Sequence, residues 1–126
     1  MKRGTVYLVS QGSAERRERA SGEGQERWSL SAAILRPVVL VSREAINRHS
    51  AVVIVCPLVE AATVGQTYPS DVRVAAPEGG LTSDSVVLTG QLRAIARETL
   101  VHYLGELSDS AMRQVDVALR ITLDLD

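Results

Sequence analysis

Arg36 is the residue best placed to act on a negatively charged reacting group. It stands at the mouth of an apolar run, RPVVLV from Arg36 to Val41, where Pro37 fixes the backbone and packing can hold the guanidinium in one direction. A cation held there could stabilise charge developing in a transition state, although an ordinary solvated arginine at a strand end has the same local sequence. Histidine is a common acid or base in enzymes, but His49 and His102 fall on unrelated segments. Cys56 sits inside VVIVCPL and reads as a small core residue. No serine has a Gly-x-Ser-x-Gly context, no glycine-rich loop leads into a helix as a phosphate cradle, and no Cys, His or Asp spacing matches a metal site.

These residues must be held by strands. Two apolar runs, Arg36 to Val41 and Val52 to Leu58, are joined by a polar link with a short helix expected over Arg43 to Arg48, and together they read as neighbouring buried strands. Thr5 to Val9 alternates as a first strand. A long polar loop over about residues 11–34 follows, with four Glu and four Arg between Glu15 and Arg27 and glycines at Gly22 and Gly24. It carries Trp28 beside Arg27, a flexible candidate for stacking on a base. Val59 to Thr67 reads as a loop, Asp71 to Ala75 as a strand, and Pro77-Glu78-Gly79-Gly80 as a turn. Strands are expected at Ser85 to Leu88 and Gln91 to Ile95, broken at Gly90, and a last one at His102 to Leu107. A closing helix begins with Ser108 as N-cap and Asp109 near its positive end. Met112, Val115, Leu119 and Thr122 recur at helical spacing, widened by Ala111, Ala118 and Ile121. Strands before one packed helix predict an antiparallel α+β architecture and a single domain over residues 1–126.

Composition narrows the chemistry. At 126 residues, with 45% hydrophobic residues, no Phe and 3% aromatics, the core must be built from Val, Leu, Ile and Ala. A formal net charge of −1 gives no general attraction for polyanions, so any nucleic-acid site must be a local arginine cluster. Of the 14 basic residues only Lys2 is a lysine. A lone cysteine excludes an intramolecular disulfide and suits a reducing compartment. No run approaches the roughly 20 apolar residues of a membrane span and no signal h-region is apparent, so a soluble cytoplasmic protein is expected.

The segments KRGTVYLV (Lys2 to Val9), RPVVLVSREAINRHSAVVIVCP (Arg36 to Pro57), YPSDV (Tyr68 to Val72), DSVVLTGQLRAI (Asp84 to Ile95) and the C-terminal LSDSAMRQVDVALRITLDLD resemble the MazF/PemK family of bacterial toxins. That resemblance implies a MazF/Kid/CcdB-like fold, a small, strongly bent, barrel-like antiparallel sheet with flanking helices. It further implies a homodimeric toxin of a type II toxin-antitoxin system, a metal-free and cofactor-free endoribonuclease. Such an enzyme cuts single-stranded mRNA to a 2′,3′-cyclic phosphate and is neutralised by a cognate antitoxin. Arg36 matches the family's principal catalytic arginine. Val59 falls where the family carries a Thr or Ser, leaving Glu60 as a base candidate and Thr63 as a hydroxyl that could replace it. Gly90 falls where some members carry an acidic residue. Gln91 and Arg93 match a Gln-x-Arg segment expected to position RNA, sharing one strand face if that strand is regular. Asn47 and Arg48 match an Asn-Arg turn, read first as backbone capping and second as a phosphate contact. The long loop with Trp28 would border the groove. The departures at Val59 and Gly90 keep open a non-enzymatic alternative, a toxin-fold protein binding an antitoxin or a gyrase-type target.

Overall fold

The computed structural model describes residues 1–11 and 34–126, so Trp28 and most of the polar loop lie outside the described residues. Seven strands form one sheet: β1 (Thr5–Gln11), β2 (Ile34–Leu40), β3 (Val52–Glu60), β4 (Asp71–Val74), β5 (Ser85–Leu88), β6 (Arg93–Ala96) and β7 (Leu100–Glu106). Among the described residues two α-helices accompany them, α1 (Glu44–His49) and α2 (Asp109–Leu123). The spatial order is β4-β5-β3-β2-β1-β7, with β6 also paired to β3, and every pairing is antiparallel. The sheet is bent but open, not a closed barrel. Part of its curvature comes from two register shifts between β1 and β7, since an extra residue in one strand bends a ladder and increases its twist.

The continuous apolar runs have a direct cause: both faces of the central strands are buried. Val39 of β2 and Cys56 and Leu58 of β3 join the larger core, while Val38, Leu40, Val53 and Val55 form a second cluster with Val9 on the opposite face. A strand buried on two sides has no polar positions to alternate with. Helix α2 covers the larger core with Ala111, Met112, Val115 and Ala118. Ser108 caps it, its hydroxyl accepting from the Ala111 amide at 3.1 Å. Ile121, expected on the buried side, is 51% exposed. It lies roughly 120° around the helix from Val115, beyond the reach of the sheet.

Several ties join elements distant in sequence. Arg3 donates from Nε to the Val41 carbonyl at 2.8 Å and pairs with Asp116 of α2 at 2.6 Å. Thr89 is fully buried, donating to the Ser70 carbonyl at 2.6 Å and lying 2.8 Å from the Thr122 hydroxyl of α2. The Gly79-Gly80 turn presses against β7 so closely that a Cβ at Gly80 would sit 2.1 Å from the Leu104 carbonyl oxygen. Both glycines adopt positive φ, 69° and 75°.

β1 runs on to Gln11, β2 begins at Ile34 rather than Arg36 and β7 at Leu100 rather than His102, and two further differences bear on the site. β3 continues through Glu60 into a 3-10 turn at Ala61–Thr63, where a loop from Val59 was expected, because pairing with β5 extends the strand. The segment after Gly90 is not a regular strand from Gln91: Thr89–Gln91 is a 3-10 turn and β6 starts at Arg93.

Candidate active site

The site is opened by a fork in the sheet. β2 and β3 pair through Val38↔Pro57, Val39↔Cys56 and Leu40↔Val55, and there the pairing ends. Beyond it β2 stays with β1, Arg36 lying opposite Val9, while β3 turns to β5, Glu60 lying opposite Ser85. Strands held by different partners diverge, and between them lies a groove of about 530 Å³. Arg36 and Pro37 line one wall. Leu58, Val59, Glu60 and Thr63 line the other, and the turn from Gly80 to Ser85 closes a third side with Leu104.

Arg36 and Glu60 are the only charged side chains among the described residues lining the groove. Both are exposed, and among the described residues Arg36 makes no ion pair. Glu60 is held more firmly. Ser83 donates from Oγ to Glu60 Oε2 at 3.2 Å, and Thr63 donates from Oγ1 to the Glu60 carbonyl at 2.7 Å. The supporting turn is itself anchored. Ser85 donates from Oγ to the Ser83 carbonyl at 2.9 Å, and the Ala61 amide donates to the Asp84 carbonyl at 2.8 Å. Val59 stands half-buried beside Glu60, with no group to donate or accept.

The other candidates lie apart. Arg93 is exposed on β6 opposite Val55, four residues along β3 from Val59, or about 13 Å at strand rise. Gln91 is exposed in the preceding turn, so the two do not share a regular strand face as expected. Gly90, also exposed, has open space where a Cβ would stand. Asn47 departs from its expected role as an RNA contact: it is fully buried. Its amide donates to the Ser42 carbonyl at 2.9 Å and its side-chain oxygen accepts from the Ser42 hydroxyl, so the capping reading is the one the geometry supports. Arg48 is exposed and pairs with Glu44 at 2.7 Å. His49 and His102 are exposed, and neither lines the groove. Burial pushes the Cys56 thiol up to about 12, with Arg3 opposing weakly, which removes it as a nucleophile. No group of three or more His, Cys, Asp or Glu capable of holding a metal occurs among the described residues.

Sequence reasoning missed Ser83 and Arg97. Arg97 donates to the Asn47 and Arg48 carbonyls at 2.9 and 2.7 Å, closing the end of α1. The hydroxyl-rich Thr82-Ser83-Asp84-Ser85 after a double-glycine turn was a visible signal for Ser83; nothing local marked Arg97.

A bent antiparallel sheet, forked to set an arginine and a carboxylate across one open groove, defines a small α+β protein with one candidate reaction site among the described residues. The sequence places it more closely. Residues 2–123 match the PemK-like, MazF-like toxins of type II toxin-antitoxin systems, and the chain belongs to that family. It is 30% identical over 126 residues to the endoribonuclease MazF of Staphylococcus epidermidis, covering all of this chain and 93% of that protein. Among solved structures it is similar to a mycobacterial endoribonuclease in complex with its cognate antitoxin, with 25% identity and a TM-score of 0.72, covering 100% and 97% of the two chains. The Deinococcus radiodurans MazE-MazF structure (Form-II) shares the fold at 17% identity, with a TM-score of 0.70 and coverage of 100% and 97%.

Proposed function

We propose that this chain is the toxin of a type II toxin-antitoxin system and acts as an endoribonuclease on single-stranded mRNA, leaving a 2′,3′-cyclic phosphate. The observation that carries the reading is the presence of Arg36 and Glu60 on facing walls of one groove. The Glu60 carboxylate takes the proton of a ribose 2′-hydroxyl, whose oxygen then bonds to the adjacent phosphorus. Arg36 stabilises the negative charge that accumulates on the phosphorane oxygens. The phosphorus to 5′-oxygen bond breaks, the departing oxygen takes a proton from water while Glu60 returns its own to the solvent, and the products are a cyclic phosphate and a free 5′-hydroxyl. No step requires a metal or cofactor.

Gln91, Arg93 and Arg48 are proposed to position RNA outside the groove, with Trp28 as a stacking surface. Arg93, opposite Val55 on β3 and outside the groove, suits an extended strand better than a single bound nucleotide. The protein is further proposed to act as a single domain, as a homodimer and in the cytoplasm, where mRNA is found. The acidic tail of a cognate antitoxin would compete for the groove arginine. Consistent with that setting, no helix among the described residues is long and apolar enough to cross a membrane.

The decisive experiment is Arg36→Ala. The variant should lose cleavage of a purified RNA in EDTA while keeping the wild-type circular dichroism spectrum. Cleavage at the wild-type rate in that variant would remove the assignment.

A further inference from the structure

We infer that Ser83 is a positioning residue that fixes the Glu60 carboxylate for proton transfer, supplying from the turn before β5 the hydroxyl that β3 lacks at Val59. The inference rests on the nuclease reading of the groove. Of the groove hydroxyls that make hydrogen bonds, two are spent on backbone: Thr63 on the Glu60 carbonyl and Ser85 on the Ser83 carbonyl. Only the Ser83 hydroxyl reaches a charged side chain, donating to Glu60 Oε2 at 3.2 Å. Glu60 is exposed and would otherwise sample several rotamers, whereas a general base works from one geometry.

Ser83 can impose that geometry because its own backbone is held. Ser85, two residues on, is locked opposite Glu60 in the β3–β5 ladder, and the Asp84 carbonyl accepts from the Ala61 amide at 2.8 Å. The turn's backbone is therefore tied to the strand that carries Glu60. With Oε2 occupied by Ser83, Oε1 has no partner among the described residues and is the oxygen that accepts the proton.

The test is single-turnover and steady-state cleavage of a short RNA by wild type, Ser83→Ala, Ser83→Thr, Glu60→Gln, Arg36→Ala and the Ser83→Ala/Glu60→Gln double variant. Loss of a hydrogen bond to a charged group predicts roughly a tenfold fall in kcat for Ser83→Ala with KM unchanged. Ser83→Thr should restore the rate, and the double variant should be no slower than Glu60→Gln alone, since the hydroxyl acts through the carboxylate. Should Ser83→Ala fail to fold, Ser83→Cys keeps the volume, weakens the donor and should show the same loss. The inference is overturned if Ser83→Ala matches wild type while Glu60→Gln is inactive, in which case the nuclease reading stands. It is equally overturned if the loss falls on KM, or if the two substitutions act additively. If Arg36→Ala and Glu60→Gln both cut like wild type, the groove is not the reaction site and this inference falls with it; if wild type itself leaves the RNA intact, the nuclease reading falls and takes the inference with it.

Discussion

The residues of this chain differ in how far their roles can be read without coordinates. That Arg36 lies on a strand was legible, because the apolar run that begins at Pro37 is a local pattern with a local consequence; that it borders a groove was not. Asn47 was legible only in part: a side chain spent on the backbone was foreseen, but its complete burial against Ser42, which removes it from any RNA contact, was not. Ser83 was not, because its meaning lies in a hydrogen bond to a residue 23 positions away. Cys56 combines both cases: its apolar neighbours foretold burial, and its place at 0% exposure between two packed strands carries the chemical consequence. A thiol reagent at pH 7.5 should find no reactive sulfur in the native protein and one after denaturation; rapid labelling of the native chain would show the strand pair opening. The pH dependence has a definite sign. The thiol moves from its ordinary 9.0 to about 12 on folding, so over that window the unfolded chain releases a proton that the folded chain keeps. Stability to denaturant should therefore decline as pH rises above about 9, and a Cys56→Ser control should lack this component.

At the scale of elements, strand positions followed from hydrophobic pattern, and the groove did not. Each of β2 and β3 reads as a buried strand. That they part company after Val38 and Pro57 depends on which neighbours claim their ends, a long-range choice with no local mark. The Gly79-Gly80 turn shows how the third wall is fixed. Its sequence announced a turn, but only the packing explains why glycine is required, since a side chain at Gly80 would meet the Leu104 carbonyl head-on while holding a positive φ. Gly80→Ala should lower the unfolding free energy by about 2 kcal/mol or more in a urea titration. A loss under about 0.5 kcal/mol would mean the turn relaxes without cost. The same substitution should slow RNA cleavage, because Gly80 and Leu104 both border the groove.

The molecule as a whole carries almost no net charge, so attraction to RNA must be local. If two to four phosphates are contacted, the logarithm of affinity should fall against the logarithm of salt concentration with a slope of roughly −1.5 to −3. Fluorescence anisotropy on a 2′-O-methyl RNA, which cannot be cut, would measure it; a slope near −8 would point to a broad basic surface instead. The groove also divides labour between separately supported walls. The arginine wall is carried by β1 and β2, and the carboxylate wall by β3, β5 and the turn at residues 80–85. For an engineer this is a modular arrangement: the Glu60 half can be redesigned, or its supporting hydroxyl moved to another loop, while the Arg36 half keeps its scaffold.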